Sequence, residues 1–248
     1  MPQYRLLLEY DGTDYHGWQL QPAVRTIQGV LETALATALR HPVRVAAAGR
    51  TDAGVHALAQ VVTFRSEHLV EPRELRKSLN ALTPPDMAVH EVAVATDEFD
   101  ARRHASSRVY EYRIWTEPWR SVFWHRFTWH MSRPLDIRAM RLAASMLAGE
   151  HDFSTFRAAD CESESAVRQV VHSGFTEAEG LCVYRVEANA FLKHMVRSIV
   201  GTLVEIGIGR RDPNVMAEAL ASRDRTRAGT TAPPQGLVLV SVRYGDRA

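Results

Sequence analysis

Cysteine is scarce in this 248-residue chain, which has only Cys161 and Cys182. They form no CxxC pair, and no nearby histidine stands at zinc-site spacing. Neither a metal site nor a disulfide framework is expected, and the two thiols read as free and structural. Long apolar runs are missing as well, since no stretch approaches the ~20 uninterrupted apolar residues of a membrane span. The opening MPQYRLLLEYDG lacks the charged, apolar and small-residue zones of a secretory leader, so a cytoplasmic location is expected. Net charge is nearly absent: 30 Lys and Arg face 29 Asp and Glu, a formal +1. The chain therefore lacks the bulk signature of a nucleic-acid binder. No low-complexity linker interrupts it. The phosphate loop GxxxxGK[ST], the dinucleotide fingerprint GxGxxG, the HExxH metal motif and the GxSxG nucleophile elbow are all missing.

What is present is an ordinary core-forming composition, 46% hydrophobic and 24% charged. The length suits one large domain or two of moderate size. Charge is unevenly spread. From Ala101 to Arg141 nine arginines meet only three acids, Glu111, Glu117 and Asp136. Four of the five tryptophans, Trp115, Trp119, Trp124 and Trp129, fall in the same stretch. Arginine binds phosphate and aromatics stack on unpaired bases, so the stretch reads as a candidate RNA surface. A strand pair with a solvated outer face would give the same composition.

Hydrophobic periodicity sets out the elements. Tyr4–Tyr10 reads as a strand running into an Asp11-Gly12 turn. Ile27, Val30, Leu31, Ala34, Leu35 and Ala38 share one helical face, with Thr26 as N-cap, and His41-Pro42 ends that helix. Val43–Ala48 and Gln60–Arg65 are apolar strands. A second helix runs from Glu71-Pro72 to Leu82, followed by a strand over Met87–Ala95. In the second half, Arg108–Trp115 alternates as a strand. Leu135–Leu147 is predicted helical, with Leu135, Leu142, Ala143, Met146 and Leu147 as core candidates. Val167–Phe175 and Leu181–Ala190 form a hairpin through Glu179-Gly180. Leu192–Ile206 carries the cleanest i, i+3, i+4 stripe, with Arg197 on its flank. Asp212-Pro213 opens a last helix, and Leu237–Tyr244 closes the chain as a strand. Strand pairs this close in sequence favour an α+β fold over a parallel α/β fold. The loop at Asp100–Ser107 is the natural boundary, giving halves of residues 1–105 and 106–248.

Between two apolar strands lies GRTDAGVHA, Gly49–Ala57. Its glycines permit tight turns around a charged centre. Arg50 and Asp52, two apart on an extended segment, point to the same side. A carboxylate held beside cations stays ionised and aimed. In isolation the pattern also describes a solvated ion pair. No second acid stands at a spacing that marks a glycosidase pair. A single committed carboxylate suits a reaction needing a nucleophile or base but no activated water.

GRTDAGVHA followed by Gln60-Val61-Val62 resembles the catalytic signature of the TruA-type tRNA pseudouridine synthases. EYDGTDYHGWQLQP resembles the family's opening strand and loop. DFSTFR (Asp152–Arg157), NAFLKHMVRSIVG (Asn189–Gly201) and APPQGLVLVSVRY (Ala232–Tyr244) resemble later segments in the same order. The resemblance implies two similar α+β halves, their largely antiparallel sheets joined into one, with the active cleft between them. It implies a homodimer, no cofactor, and tRNA as partner, with target uridines at positions thirty-eight to forty of the anticodon stem-loop. By motif position, Asp52 matches the catalytic aspartate and Arg197 the arginine that pairs with it. Tyr110, in Arg108-Val109-Tyr110-Glu111-Tyr112, matches the tyrosine packed on the target uracil. Strand alternation alone puts Tyr110 and Tyr112 on one side, so only the resemblance prefers Tyr110. Arg50 matches the arginine that enters the RNA as the nucleotide is extruded. The chain departs from the pattern at Arg103, where relatives often carry phenylalanine. Two other classes fit parts of the sequence: an RNA-binding protein of this fold without catalysis, and a glycosidase or nucleoside hydrolase using Asp52, marked by release of free uracil.

Overall fold

The computed structural model describes residues 1–245 of the chain. Contacts divide the chain into two compact units, one of Met1–Ser106 with the segment from Leu239 onward, the other of Ser107–Val238. The elements form an α+β arrangement of largely antiparallel strands, as expected for the fold class.

In the first unit, β1 (Gln3–Tyr10), α1 (Ile27–Leu39), β2 (Val45–Ala47), β3 (His56–Arg65), α2 (Pro72–Leu82) and β4 (Met87–Ala95) follow one another. β1 is the central strand, antiparallel to both neighbours: Leu6 stands opposite Val62 of β3 and Val92 of β4. Its alternation is visible in burial. Tyr4, Leu6, Leu8 and Tyr10 are at most 3% exposed, and the Tyr4 and Phe64 rings stack at 5.3 Å. On the other side, Leu7 packs against a small cluster of Ala48, Val61 and Ala101, joined by Val242 and Tyr244. α1 starts where its cap demands, since Thr26 Oγ1 accepts from Gly29 N–H at 3.2 Å. Its core face is Ile27, Leu31, Ala34, Leu35 and Leu39. Leu39 takes the place that periodicity gave to Ala38. α2 packs on β4 and against α1. β3 begins at His56, four residues before the predicted start, because the end of the GRTDAGVHA segment is itself drawn into the sheet against Tyr10.

The second unit holds β5 (Ala105–Trp115), β6 (Trp129–His130), α3 (Ile137–Ser145), β7 (Gly149–Asp152), β8 (Val167–Ala178), β9 (Leu181–Ala188), α4 (Met195–Gly207) and α5 (Val215–Ser222). Its strands lie in the order β5-β9-β8-β7, with β6 parallel to β5. The β8–β9 hairpin turns through Glu179 and Gly180, both at positive φ (51° and 78°), the two-residue geometry that matches strand twist. In α3 the core stripe is Met140, Ala143 and Ala144, while Leu142, expected inside, is 54% exposed. Asp136 caps the helix through Ala139 N–H, and the buried stripe at i, i+3 and i+4 is the face that packs on α4 and β8. α4 starts at Met195, later than its stripe predicts, because His194 takes a left-handed backbone (φ 62°) that no continuing helix tolerates. Ile199, Val200 and Leu203 are fully buried, each contributing about 1.5–3 kcal/mol of transfer free energy. α5 likewise begins two residues past Pro213, after a turn held by Asp212 Oδ1 and Asn214 N–H. The last strand, β10 (Leu237–Tyr244), lies beside β3 in the first unit.

Candidate active site

The segment carrying Asp52 connects β2 to β3 and alternates as an extended chain should. Thr51 is 6% exposed, Arg50 is exposed and Asp52 is half-buried. Arg50 and Asp52 are thus turned away from the face that Thr51 buries. The turn closes through Val55 N–H to Asp52 C=O at 3.1 Å, with Gly54 at φ 76°.

A second loop, Asp11–Trp18, holds this segment from outside. Trp18 N–H donates to Thr51 C=O at 2.9 Å, and Gly54 N–H to Tyr15 C=O at 3.3 Å. Gly12 N–H donates to His56 Nδ1 at 3.0 Å, and Asp11 Oδ1 lies 3.1 Å from the same nitrogen. The approach is close enough to require glycine. A Cβ on Gly12 would lie 2.0 Å from Val55 O, and one on Gly17 would lie 2.9 Å from Thr51 O, with φ already at 85°. The loop is anchored in turn at Asp86. Tyr15 Oη donates to its carboxylate at 2.6 Å, and Arg25 grips both carboxylate oxygens at 2.9 and 3.0 Å. Burial, with the Asp86 hydrogen bond second, pushes the Tyr15 phenol well above its ordinary range. EYDGTDYHGW and GRTDAGVHA are therefore two sides of one object.

Beneath that object lies a polar pair the sequence reading did not single out. Tyr10 Oη and Thr51 Oγ1 are 2.9 Å apart. Gln60 Nε2 donates to Gly49 C=O at 2.7 Å and to Tyr10 Oη at 3.4 Å. The signal available in the sequence was a glutamine inside the apolar run HALAQVVTF.

Tyr110 and Arg197 belong to the second unit. β5 pairs with β9, Tyr110 opposite Val186 and Tyr112 opposite Tyr184. Tyr112 is fully buried, its hydroxyl donates to Pro233 C=O at 2.7 Å, and its ring meets Trp129 edge-on. Gly236 leaves no room for a Cβ, which would sit 2.6 Å from that ring. Tyr110 keeps 7% exposure and packs edge-on against Phe191 at 5.1 Å. Arg197 lies in the first turn of α4. Its Nε donates to Ala232 C=O at 2.8 Å, while Ala232 N–H returns a bond to Arg197 C=O at 3.0 Å. The helix can approach this segment because residue 201 is glycine: a Cβ there would lie 1.6 Å from Thr230 O.

The arginine- and tryptophan-rich stretch divides in two. Arg108 is buried on Asn189 C=O at 2.7 Å, and Arg113 and Arg141 pair with Glu111 and Glu177. Arg102, Arg103, Arg120, Arg133 and Arg138 are exposed. Trp119 and Trp124 are 64% and 38% exposed, whereas Trp115 and Trp129 are half-buried. Among the described residues, no group of three or more His, Cys, Asp or Glu side chains is placed to hold a metal ion. No helix among them is long and apolar enough to cross a membrane.

Comparison with known proteins places these observations in context. The family described as tRNA pseudouridine synthase matches residues 7–103 and 143–245, so Asp52, Arg50 and Arg197 lie in matched stretches and Tyr110 between them. A protein of Myxococcus xanthus named tRNA pseudouridine synthase A is 49% identical over 247 residues, covering 99% of this chain and 93% of its own. Proteins of the same name from Geotalea uraniireducens and Salmonella newport are each 43% identical, over 98% and 99% of this chain and 100% and 92% of their own.

Proposed function

Because the chain belongs to the tRNA pseudouridine synthase family, we propose that it isomerises uridine to pseudouridine at positions thirty-eight to forty of the tRNA anticodon stem-loop, with Asp52 as the essential carboxylate. The observation that carries the reading is the match of family and relatives across nearly the whole chain, with Asp52 inside it. The reaction breaks the bond from ribose C1′ to uracil N1, turns the base, and joins C5 to C1′. Every atom is conserved, so the enzyme's task is to hold a detached base and keep water out. Asp52 acts at the sugar, whether by attacking C1′, stabilising its positive charge or removing a sugar proton.

Arg50 enters the space the nucleotide vacates. Its exposure, beside a Thr51 pinned from beneath, supports that role, and extrusion costs a few kcal/mol that such an insertion offsets in part. Tyr110 supplies a flat face for the uracil. Tyr112, committed to Pro233 C=O, has the features of a structural residue. Arg197 is the cationic support of the carboxylate, its guanidinium oriented by the Ala232 carbonyl. The exposed arginines and Trp119 supply phosphate and stacking contacts to RNA. The enzyme acts in the cytoplasm as a homodimer. In support of the dimer, Val122 and Phe123 are the most exposed large apolar side chains of the second unit, at 71% and 85%.

The test is conversion of unmodified tRNA by the wild type and by Asp52→Asn. Wild type is expected to form pseudouridine with no free uracil, and Asp52→Asn to bind tRNA within several-fold yet convert none. Turnover by Asp52→Asn would remove the assignment, and release of uracil would make the protein a hydrolase.

A further inference from the structure

The segment that carries Arg50 and Asp52 is pinned at alternate residues. Gly49 C=O accepts from Gln60 Nε2 at 2.7 Å, Thr51 Oγ1 meets Tyr10 Oη at 2.9 Å, and Thr51 C=O accepts from Trp18 N–H at 2.9 Å. These three pins fall on residues 49 and 51, while Val55 N–H closes the following turn on Asp52 C=O at 3.1 Å; residues 50 and 52 are turned away from the face that Thr51 buries. Gln60 Nε2 also reaches Tyr10 Oη at 3.4 Å. The phenol oxygen thereby accepts from Gln60, and it shares a hydrogen bond with Thr51 Oγ1 in which either hydroxyl can donate. The orientation of the Gln60 amide is fixed by Gly49, whose carbonyl accepts and cannot donate.

This arrangement is not what stability alone would select. Gln60 is 0% exposed, and its Oε1 has no hydrogen-bond partner among the described residues. A buried acceptor without a protein partner is a cost that an apolar side chain of similar volume on β3 would avoid, at the loss of the bond to Gly49. Tyr10 is only 3% exposed, and its hydroxyl serves just this cluster. Local departures from the best-packed solution are expected where function fixes geometry. We propose that Gln60 and Tyr10 are positioning residues for the reaction: they lock residues 49 and 51 so that Asp52 and Arg50 meet the nucleotide in one fixed orientation. The proposal rests on the reading of Asp52 as the essential carboxylate.

The experiment is single-turnover conversion of tRNA by the whole protein, read beside tRNA affinity and the thermal midpoint, for Tyr10→Phe, Gln60→Leu, Thr51→Val and Thr51→Ser. Tyr10→Phe and Thr51→Val both remove the Tyr10–Thr51 hydrogen bond and keep the packing, and Tyr10→Phe also removes the longer bond from Gln60. Each is expected to slow the single-turnover rate about 10- to 100-fold, with affinity within about threefold, because sub-ångström misplacement at a reacting centre acts on the chemical step. The double substitution Tyr10→Phe with Thr51→Val is expected to be no slower than Tyr10→Phe alone. Thr51→Ser, which keeps the hydroxyl, is expected to keep the rate. Gln60→Leu gives up the Gly49 bond together with the unpartnered Oε1, so its thermal midpoint is expected to stay close to wild type while it converts tRNA at least 10-fold more slowly, a loss out of proportion to the change in stability. Wild-type rates in Tyr10→Phe and Gln60→Leu would overturn the proposal, as would rate losses that track lowered thermal midpoints. Asp52→Asn run alongside tests the underlying reading. If it is inactive and Tyr10→Phe is unimpaired, only the positioning role falls; if it turns over, the assignment of Asp52 falls first.

Discussion

Replacing Gly12 with alanine adds one methyl group at the seam between the two loops. Gly12 does not occupy the left-handed region, so the substitution introduces no backbone strain of that kind and tests the contact alone. The new Cβ would lie 2.0 Å from Val55 O and 2.7 Å from Val55 C, both main-chain atoms with no side chain to swing aside. Ordinary contact begins at 3.4 Å, so the loops must part by about 1.4 Å. Overpacking of this kind costs about 1–3 kcal/mol. Parting the loops also breaks the 3.0 Å bond from Gly12 N–H to His56 Nδ1, worth about 1 kcal/mol. The sum, about 2–4 kcal/mol, corresponds at this chain length to a fall of roughly 5–15 °C in Tm. Because Val55 N–H closes the turn on Asp52 C=O, the displacement reaches the carboxylate, and about 100-fold in rate is at stake for a shift of that size. Denaturant unfolding and single-turnover conversion of tRNA measure the two effects. Gly209→Ala is the control: its φ of 73° predicts a cost of about 1–2 kcal/mol, but nothing lies within 4 Å of its Cβ and no catalytic loss follows. A Gly12→Ala protein within 1 kcal/mol of wild type in stability, and as fast, would refute the claim that the two motifs are one packed unit.

Three further outcomes are expected. Gly201→Ala, whose Cβ would meet Thr230 O at 1.6 Å, should destabilise the protein by about 3 kcal/mol and slow conversion by loosening the Arg197–Ala232 pairing; unfolding and rate measurements that leave either property unchanged count against it. Burial pushes the Tyr10 phenol up to about 12, only partly opposed by its bonds to Thr51 and Gln60. Between about pH 10 and pH 12 the unfolded chain holds fewer protons, so stability falls as pH rises through that window, by on the order of 3 kcal/mol from this residue. Tyr10→Phe should flatten the alkaline loss of stability by that share, and parallel curves would contradict the assignment. Burial also pushes the Cys182 thiol up to about 12. The Cys161 thiol is raised by burial but carried below its usual range by backbone N–H groups of Ser163 and Lys193. Brief alkylation at neutral pH, read by peptide mass spectrometry, should label Cys161 and spare Cys182.

What the sequence made legible, and what it hid, follow from the range over which each signal acts. Strand β1 was readable because the period of two places Tyr4, Leu6, Leu8 and Tyr10 on one face, a property of neighbours. The Thr26 cap and the Glu179-Gly180 turn were readable for the same reason. Helix α4 was placed three residues early because a hydrophobic stripe reports burial, and Leu192 is buried without being helical. Leu142 lies outside the core because Met140, Ala143 and Ala144, at i, i+3 and i+4, form the face that packs on α4 and β8, and Leu142 falls off that face. The candidate site divides along the same line. Asp52 and Arg50 stand in one short motif and could be named directly. The residues that hold them could not: Tyr10 and Thr51 are 41 residues apart in the chain, and Gly12 meets Val55 only after β1 and β3 have paired. Gln60 closely follows the motif, but a polar residue in an apolar run has no meaning until its partners are known. A motif of this kind records the residues proposed to meet the substrate. The geometry that makes them useful is written in a second motif near the start of the chain, and the pairing of β1 with β3 is what brings the two together.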